Sequence, residues 1–325
     1  MLLRLLKDIF SGGNARARGE RSALANEHLQ RGMSHRSAGR LQDAFAEFKR
    51  AAELAPEDAD CLYSLAEAAH LAGQPALALE YCAQLRRMAP QLDATDVLQA
   101  QIRFEGEHYF QVLKRILEAV QPRTYLEIGV AQGDSLRLVE APTRAIGVDP
   151  EPQLSAPLAE NQRVFAETSD AFFASHDVRA ELGGLPIDLA FIDGMHHFEF
   201  ALRDFANVER LATPQSTILI HDVYPLDRVT AERERHRSFW SGDIWRLIVL
   251  LKKVRPELSI HTIATAPTGL ALVRNLDPGS RLLLERHDPL CKEFLALDYS
   301  WIENDMAGKL NLFPNDWAKI RALLG

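Results

Sequence analysis

The stretch TYLEIGVAQGDSLRLVE, Thr124 to Glu140, decides the architecture of this chain. Tyr125-Leu126-Glu127-Ile128 reads as a short strand, mostly apolar and buried on both faces. Gly129-Val130-Ala131-Gln132-Gly133 reads as a turn whose two glycines let backbone approach a ligand. Asp134 or Ser135 then stands where it can cap a following helix, whose free N–H groups favour anionic or polar ligand groups. Strand, glycine turn and helix in that order form the ligand loop of a doubly wound, Rossmann-like α/β sheet. The spacing is G-x-x-x-G rather than G-x-G-x-x-G, which argues against an ordinary NAD-binding fingerprint.

Downstream of that turn, strands and helices alternate. Arg144 to Asp149 is a second strand. It ends in an acid about 20 residues past the turn, where a carboxylate accepts hydrogen bonds from ribose hydroxyls. Arg163 to Thr168 is a third strand, followed by Ser169-Asp170 at a helix start. Ile187 to Ile192 is a fourth, apolar except for Asp188, and ends in Asp193-Gly194-Met195-His196-His197. Phe198, Leu202, Phe205 and Leu211 then recur at helical spacing. Thr217 to Ile220 is a fifth strand ending in His221-Asp222. A helix from Trp245 to Val254 and a hairpin of Leu258–Ala264 with Leu270–Arg274 complete the pattern.

This order predicts a mostly parallel sheet with one antiparallel strand. In such sheets ligands gather at the carboxyl ends of the strands. Glu127, Asp149, Asp170, Asp193, His196, His221 and Asp222 each follow or end an apolar strand, and their clustering predicts an active site there. The insertion Tyr224 to Trp240 overhangs that edge and is the expected substrate lid. Its run ERERHR, Glu232 to Arg237, reads as a solvated charged loop, and Trp240 and Trp245 as core or lid packing.

The amino-terminal third follows another rule. Gly39 and Gly73, Ala44 and Ala78, and Pro56 and Pro90 are each separated by 34 residues, the period of tetratricopeptide helix pairs. The segment Asn26 to Gln91 resembles that family, with His28 and His35 standing where aromatic residues are usual and read as packing residues. Two repeats are fewer than the ~3 needed for independent stability, so Leu98 to Val120 is expected to supply a capping helix. The expected divisions are an amphipathic segment with a linker over 1–21, helical repeats over 22–121, the ligand-binding sheet over 122–276, and an extension over 277–325 serving as lid or dimer contact. The repeats imply a protein partner or self-association.

Composition narrows the class. A formal net charge of -8 gives no support for a nucleic-acid footprint. The three cysteines, Cys61, Cys82 and Cys291, are widely spaced and form neither a disulfide framework nor a zinc cluster, which fits a cytoplasmic protein. No run approaches the ~18 apolar residues of a membrane span. MLLRLLKDIF, Met1 to Phe10, is amphipathic and reads as a docking helix rather than a signal peptide.

LEIGVAQGDS, IGVDP, DLAFIDGMHHFEFALRDF and ILIHD together resemble a class I S-adenosylmethionine-dependent methyltransferase over Arg123 to Arg274. The likeness is nearest to the subgroup of macrolide sugar O-methyltransferases and cephalosporin-hydroxylase-like proteins. It implies that Glu127, Gly129 and Gly133 surround the methionine end of the cofactor, that Asp149 binds its ribose, and that Ser169 and Asp170 lie by its adenine. It implies Asp193 beneath the sulfonium and His196 as the general base. Asp193, His221 and Asp222 match a divalent-metal site, with His221 departing from the acidic pattern of the macrolide enzymes. Magnesium prefers an all-oxygen shell, so His221 shifts the preference toward softer ions. The implied acceptor is a hydroxyl of a sugar or glycoconjugate-type small molecule. The rival readings are a non-catalytic scaffold that binds cofactor or partner, and a hydroxylase-like activity.

Overall fold

The computed structural model describes the chain from Leu2 onward and its side chains from Gly19 onward. Of the amphipathic segment and linker expected over 1–21, the backbone from Leu2 belongs to the first helix, and only residues 19–21 have described side chains. The chain divides into two compact units, Met1–Ile102 and Arg103–Gly325.

The first unit is helical: α1 (Leu2–Ser37), α2 (Leu41–Leu54), α3 (Ala59–Leu71), α4 (Pro75–Met88) and α5 (Asp93–Arg103). Gly39 and Gly73 sit in the turns after α1 and α3 with φ of 73° and 77°, a left-handed conformation natural to glycine. That requirement, met twice, is what the 34-residue spacing records. Phe48, Leu65, Ala69, Ala78 and Leu85 fill the core between the paired helices. A Cβ at Gly32 would come within 2.5 Å of the Phe48 ring, so glycine is what lets α1 lie against α2. His28 and His35 are half-buried and also have polar partners. His28 Nδ1 lies 2.7 Å from Glu47 Oε2, and His35 accepts from Arg40 Nε at 2.9 Å.

The second unit begins at Arg103 rather than at residue 122. The expected capping helix is two helices, α5 and α6 (Tyr109–Val120), and the buried face of α6 (Val112, Leu113, Ile116, Leu117) packs on the sheet. A capping box between His108 and Gln111 starts α6. The sheet strands are β1 (Thr124–Ile128), β2 (Arg144–Val148), β3 (Gln162–Phe165), β4 (Leu189–Ile192), β5 (Thr217–His221), β6 (Ser259–Ile263), β7 (Leu270–Arg274) and β8 (Leu312–Phe313), and the helices after α6 are α7 (Ser169–Ser175), α8 (Val178–Glu181), α9 (Phe198–Leu211), α10 (Trp245–Val254), α11 (Leu282–Glu285), α12 (His287–Leu295), α13 (Ser300–Glu303), α14 (Met306–Lys309) and α15 (Trp317–Leu324). Their spatial order is β3-β2-β1-β4-β5-β7-β6-β8. β7 runs antiparallel to β5 and β6, and the remaining pairs are parallel. β8 comes from the region expected to be a lid or dimer contact; that region extends the sheet and buries Phe294, Ile302 and Leu310 in the core.

Alternation along each strand sends residues to two cores. Leu126, Ile128, Ala190, Ile192, Ile218 and Ile220 pack against α9 (Phe198–Leu211) and α10 (Trp245–Val254). Tyr125, Leu189, Phe191, Leu219 and Leu272 meet α6 on the opposite face, where Ile320 of α15 (Trp317–Leu324) joins them. Here the structure departs from the sequence reading. The glycine turn is followed only by a short 3-10 segment, Leu136–Leu138, and neither Asp134 nor Ser135 caps an α-helix. α6 and α15 already cover that face, and buried Leu136 and Val139 fill what remains.

Candidate active site

Gly129 ties the strand ends together. Its N–H donates to Val148 O at 2.9 Å, and Asp193 N–H donates to Ile128 O at 2.8 Å. At φ 88° a Cβ on residue 129 would fall 1.9 Å from the Asp193 carbonyl oxygen. Glycine there serves backbone-to-backbone approach between β1 and β4 as well as any ligand. Gly133, with φ 79°, closes the turn by donating to Val130 O at 2.8 Å.

Asp149, at the end of β2, holds the same turn. Its Oδ2 accepts from Val130 N and Ala131 N, both at 2.9 Å, and its Oδ1 accepts from Glu151 N at 2.8 Å. Glu127 is fully buried, with Oε2 taking the Tyr125 hydroxyl at 2.6 Å and Oε1 the Ser135 hydroxyl at 2.8 Å. Burial pushes its carboxyl up to about 8 against those two hydrogen bonds, and the charges of Asp193 and Asp149 push the same way. The three acids therefore stand around one rim. Asp170 does not join them: it forms a two-bond pair with Arg203 of α9, at 2.9 and 2.8 Å. Ser169 stands near buried Asp204, whose carboxyl burial raises to about 7.

At the ends of β4 and β5 four titratable groups meet. His196 Nε2 lies 3.0 Å from Asp222 Oδ2 and 3.7 Å from Asp193 Oδ1. His221 Nδ1 lies 3.2 Å from both Asp193 Oδ1 and Asp222 Oδ2. Burial disfavours charge on either imidazole, but the paired carboxylates outweigh it: His196 is raised well above its ordinary value and His221 to about 10. Burial likewise opposes charge on the carboxylates, yet the two imidazoles hold Asp222 well below its ordinary range and lower Asp193. Two imidazolium ions and two carboxylates cancel, which is how a buried cluster of this kind is stable.

Three contacts to this cluster had little or no signal in the sequence. Thr268 donates its hydroxyl to Asp222 Oδ1 at 2.7 Å; the turn it occupies was legible, its reach was not. The Tyr109 ring lies over His221 at 4.1 Å between centroids, brought there by α6 packing on the sheet. His196 Nδ1 donates to the Trp240 carbonyl at 3.1 Å, a backbone contact no side-chain pattern can announce. The lid's arginines are not simply solvated. Arg233 binds Glu199 and Asp243, Arg237 binds Asp227, and Arg235 donates to the carbonyls of Arg237 and Ser238. His197 starts α9 without capping it and donates to Arg233 O at 3.1 Å.

A sheet of this order, with its single antiparallel strand next to β5 and a polar cluster at the strand ends beside a glycine turn, defines a class I methyltransferase fold. Residues 126–223 match a family profile described as a methyltransferase domain. The second unit accordingly has the fold of the class I S-adenosylmethionine-dependent methyltransferases, with a methyltransferase-domain profile matching its central stretch. No curated protein matches the chain. Among solved structures, similar ones include cofactor-bound Rv0187 from MTB, at 20% identity and TM-score 0.42, covering 59% of this chain and 94% of that one. Another is the O-methyltransferase TomG from Streptomyces achromogenes, involved in tomaymycin synthesis and solved with SAM, at 18% identity and TM-score 0.42, covering 61% and 89%. A third is an O-methyltransferase from Bacillus cereus in complex with SAH, at 15% identity and TM-score 0.36, covering 60% and 89%. Among the described residues, no helix is long and apolar enough to cross a membrane.

Proposed function

We propose that the second unit transfers a methyl group from S-adenosylmethionine to a hydroxyl oxygen of a sugar or glycoconjugate-type small molecule. The observation that carries this reading is the meeting of Asp193, His196, His221 and Asp222 at two neighbouring strand ends beside the glycine turn. S-adenosylmethionine, when bound, supplies a sulfonium-activated methyl group, so the chain has only to align an acceptor and take its proton. Gly129, Gly133 and Glu127 shape the turn for the methionine end, and Asp149 the ribose side. Ser169 and Asp170 are assigned to the adenine side, with Asp170 reaching a ligand only by leaving Arg203. His196 takes the acceptor's proton at Nε2 only after releasing the proton that the paired carboxylates hold there, because its Nδ1 is already committed to the Trp240 carbonyl.

The donor set suits a divalent cation. Asp193, His196 and Asp222 offer ligand atoms within 4.8 Å of one another, and His221 Nδ1 is 3.2 Å from both carboxylates. His196 Nε2 can serve as ligand or as base, not both. Asp193, His221 and Asp222 would hold the ion and leave His196 free. Two carboxylates with an imidazole suit manganese, iron or zinc better than magnesium. Such an ion would help acidify and orient a diol. It would also neutralise the carboxylates that keep a proton on His196. The helical first unit is assigned to partner binding or self-association.

Calorimetry with S-adenosylmethionine and S-adenosylhomocysteine, followed by label transfer from methyl-labelled cofactor to a panel of sugars and glycoconjugates, tests the reading. Binding with label in a hydroxylated acceptor is the expected result. Absence of any heat with either compound refutes it, and label in amines alone refutes the choice of oxygen. Asp149→Ala removes the acceptor of three turn N–H groups, hydrogen bonds to a charged group worth about 1.5–3 kcal/mol each. S-adenosylhomocysteine affinity is expected to fall roughly tenfold or more; unchanged affinity removes Asp149 from the site.

A further inference from the structure

We propose that Trp240 is the positioning residue for His196, and that the loop Trp240–Asp243 holds the base in the one ring orientation that turns Nε2 toward Asp193 and Asp222. This rests on the reading of His196 as proton acceptor. An imidazole ring turned over about its Cβ–Cγ bond puts a carbon where each nitrogen was, Cδ2 for Nδ1 and Cε1 for Nε2, and only one placement is useful to a base. Here Nδ1–H is committed to the Trp240 carbonyl at 3.1 Å, so turning the ring over loses that bond. The indole of the same residue lies almost parallel to the imidazole, with centroids 5.2 Å apart and 25° between planes, which limits tilting. The indole is itself fixed, since its Nε1–H donates to Glu232 O at 2.6 Å.

The loop is anchored to the D-x-x-H turn from both sides. Gly242, at φ 62°, approaches so closely that a Cβ there would fall 1.9 Å from the His196 carbonyl oxygen. Asp243 N–H donates to that oxygen at 3.2 Å. Fully buried Asp243 accepts the Phe198 N–H at 2.7 Å, supplying from outside the cap that His197 does not give to α9. Ser241 secures the other end through two bonds to Thr230 O, at 3.1 Å from its N–H and 2.9 Å from its hydroxyl.

Simple packing does not account for Trp240. Unlike fully buried Trp245, it is only partly buried and belongs to no buried cluster. Its contacts are with His196, with His197 edge-on at 5.9 Å, and with the lid backbone. Because Trp240 ends the Tyr224–Trp240 segment, displacement of the lid also releases the base. The base is assembled only while the lid is in place, a gating role that covering loops commonly play.

The test uses the full chain with histidine nitrogens labelled. In wild type, a His196 Nδ1 proton protected from solvent exchange is expected in long-range proton–nitrogen spectra, identified by its absence in His196→Gln. Trp240→Ala is expected to lose that protection, and Trp240→Phe, which keeps a ring against the imidazole, to retain it. Protection undiminished in Trp240→Ala overturns the proposal. Should Trp240→Ala not fold, tryptophan emission decides: an imidazolium stacked on indole quenches it. His196→Gln should then brighten the wild-type background and not the Trp240→Phe background. Equal changes in both backgrounds overturn the stacking. A wild type that gives no heat with S-adenosylhomocysteine refutes the cofactor reading and leaves these spectra to decide the positioning role on their own.

Discussion

Gly129→Ala should be the most disruptive small substitution in the second unit. Two costs add. Alanine at φ 88° is strained by about 1–3 kcal/mol. The new methyl must also be relieved of a 1.9 Å approach to the Asp193 carbonyl oxygen, and that neighbour is backbone, which cannot swing aside as a side-chain end can. Forcing extra volume into a packed site costs about 1–3 kcal/mol more. A loss of about 2–6 kcal/mol is expected from the shift in denaturant midpoint at constant slope. Because Asp193 N–H is tied to Ile128 O, relief by moving β4 also displaces Asp193. Cofactor binding should therefore fail even under conditions where the variant is folded. A variant with wild-type midpoint and wild-type S-adenosylhomocysteine affinity would show that β1 and β4 are not laced as described.

Asp222→Asn should produce the second large effect. Asn is the appropriate replacement because residue 222 has φ 58°, which Asn tolerates and alanine resists. The change removes a buried charge that faces His196, His221 and the Thr268 hydroxyl. Breaking a buried ion pair from one side costs about 3–5 kcal/mol when the partner charge is left behind. Here the partners can shed protons, so the loss should depend on pH. A histidine whose folded value is raised contributes stability in full below its unfolded value near ~6.5 and loses it as pH rises through the folded value. For His221 that window runs up to about 10. The lowered carboxylates act in the opposite sense, adding stability above their unfolded value near ~3.9 and losing it as pH falls through the folded one. With chelator present, wild-type stability should decline from near neutrality toward pH ~10, while the variant should follow a flatter course. Parallel curves for the two proteins would contradict the charge-balanced cluster.

The ends of β2, β4 and β5 were legible because each is a mostly apolar, mostly buried run stopped by a polar residue, which leaves that pattern little freedom. β4 closing on Asp193 and β5 closing on His221 follow directly, as does the antiparallel β7. The helix expected after Gly133 failed for a reason outside its own window: α6 and α15 occupy the face on which it would pack. Asp170 read as a site residue because it follows a strand, yet Arg203, in a different helix, takes both its oxygens. His28 and His35 fell at repeat positions usually filled by rings, but polar partners on α2 and in the turn before it were close enough to claim them. The contacts from Tyr109, Thr268 and the Trp240 carbonyl depend on chain segments meeting in space. Local periodicity carries no record of such meetings.

The pairing of α6 with α15 has a temporal side. α6 opens the second unit and α15 closes it, with Arg115 of one lying over the Trp317 ring of the other at 5.5 Å, and β8 reaches the sheet only from the same late region. Until residues 312–324 leave the ribosome, one flank of the sheet stays uncovered and its far margin unpaired. The helical first unit depends on neighbours close in sequence and has no such delay. Newborn chains should thus pass through an interval with a finished front half and an adhesive, half-clad back half, the stage at which aggregation and chaperone capture compete with folding.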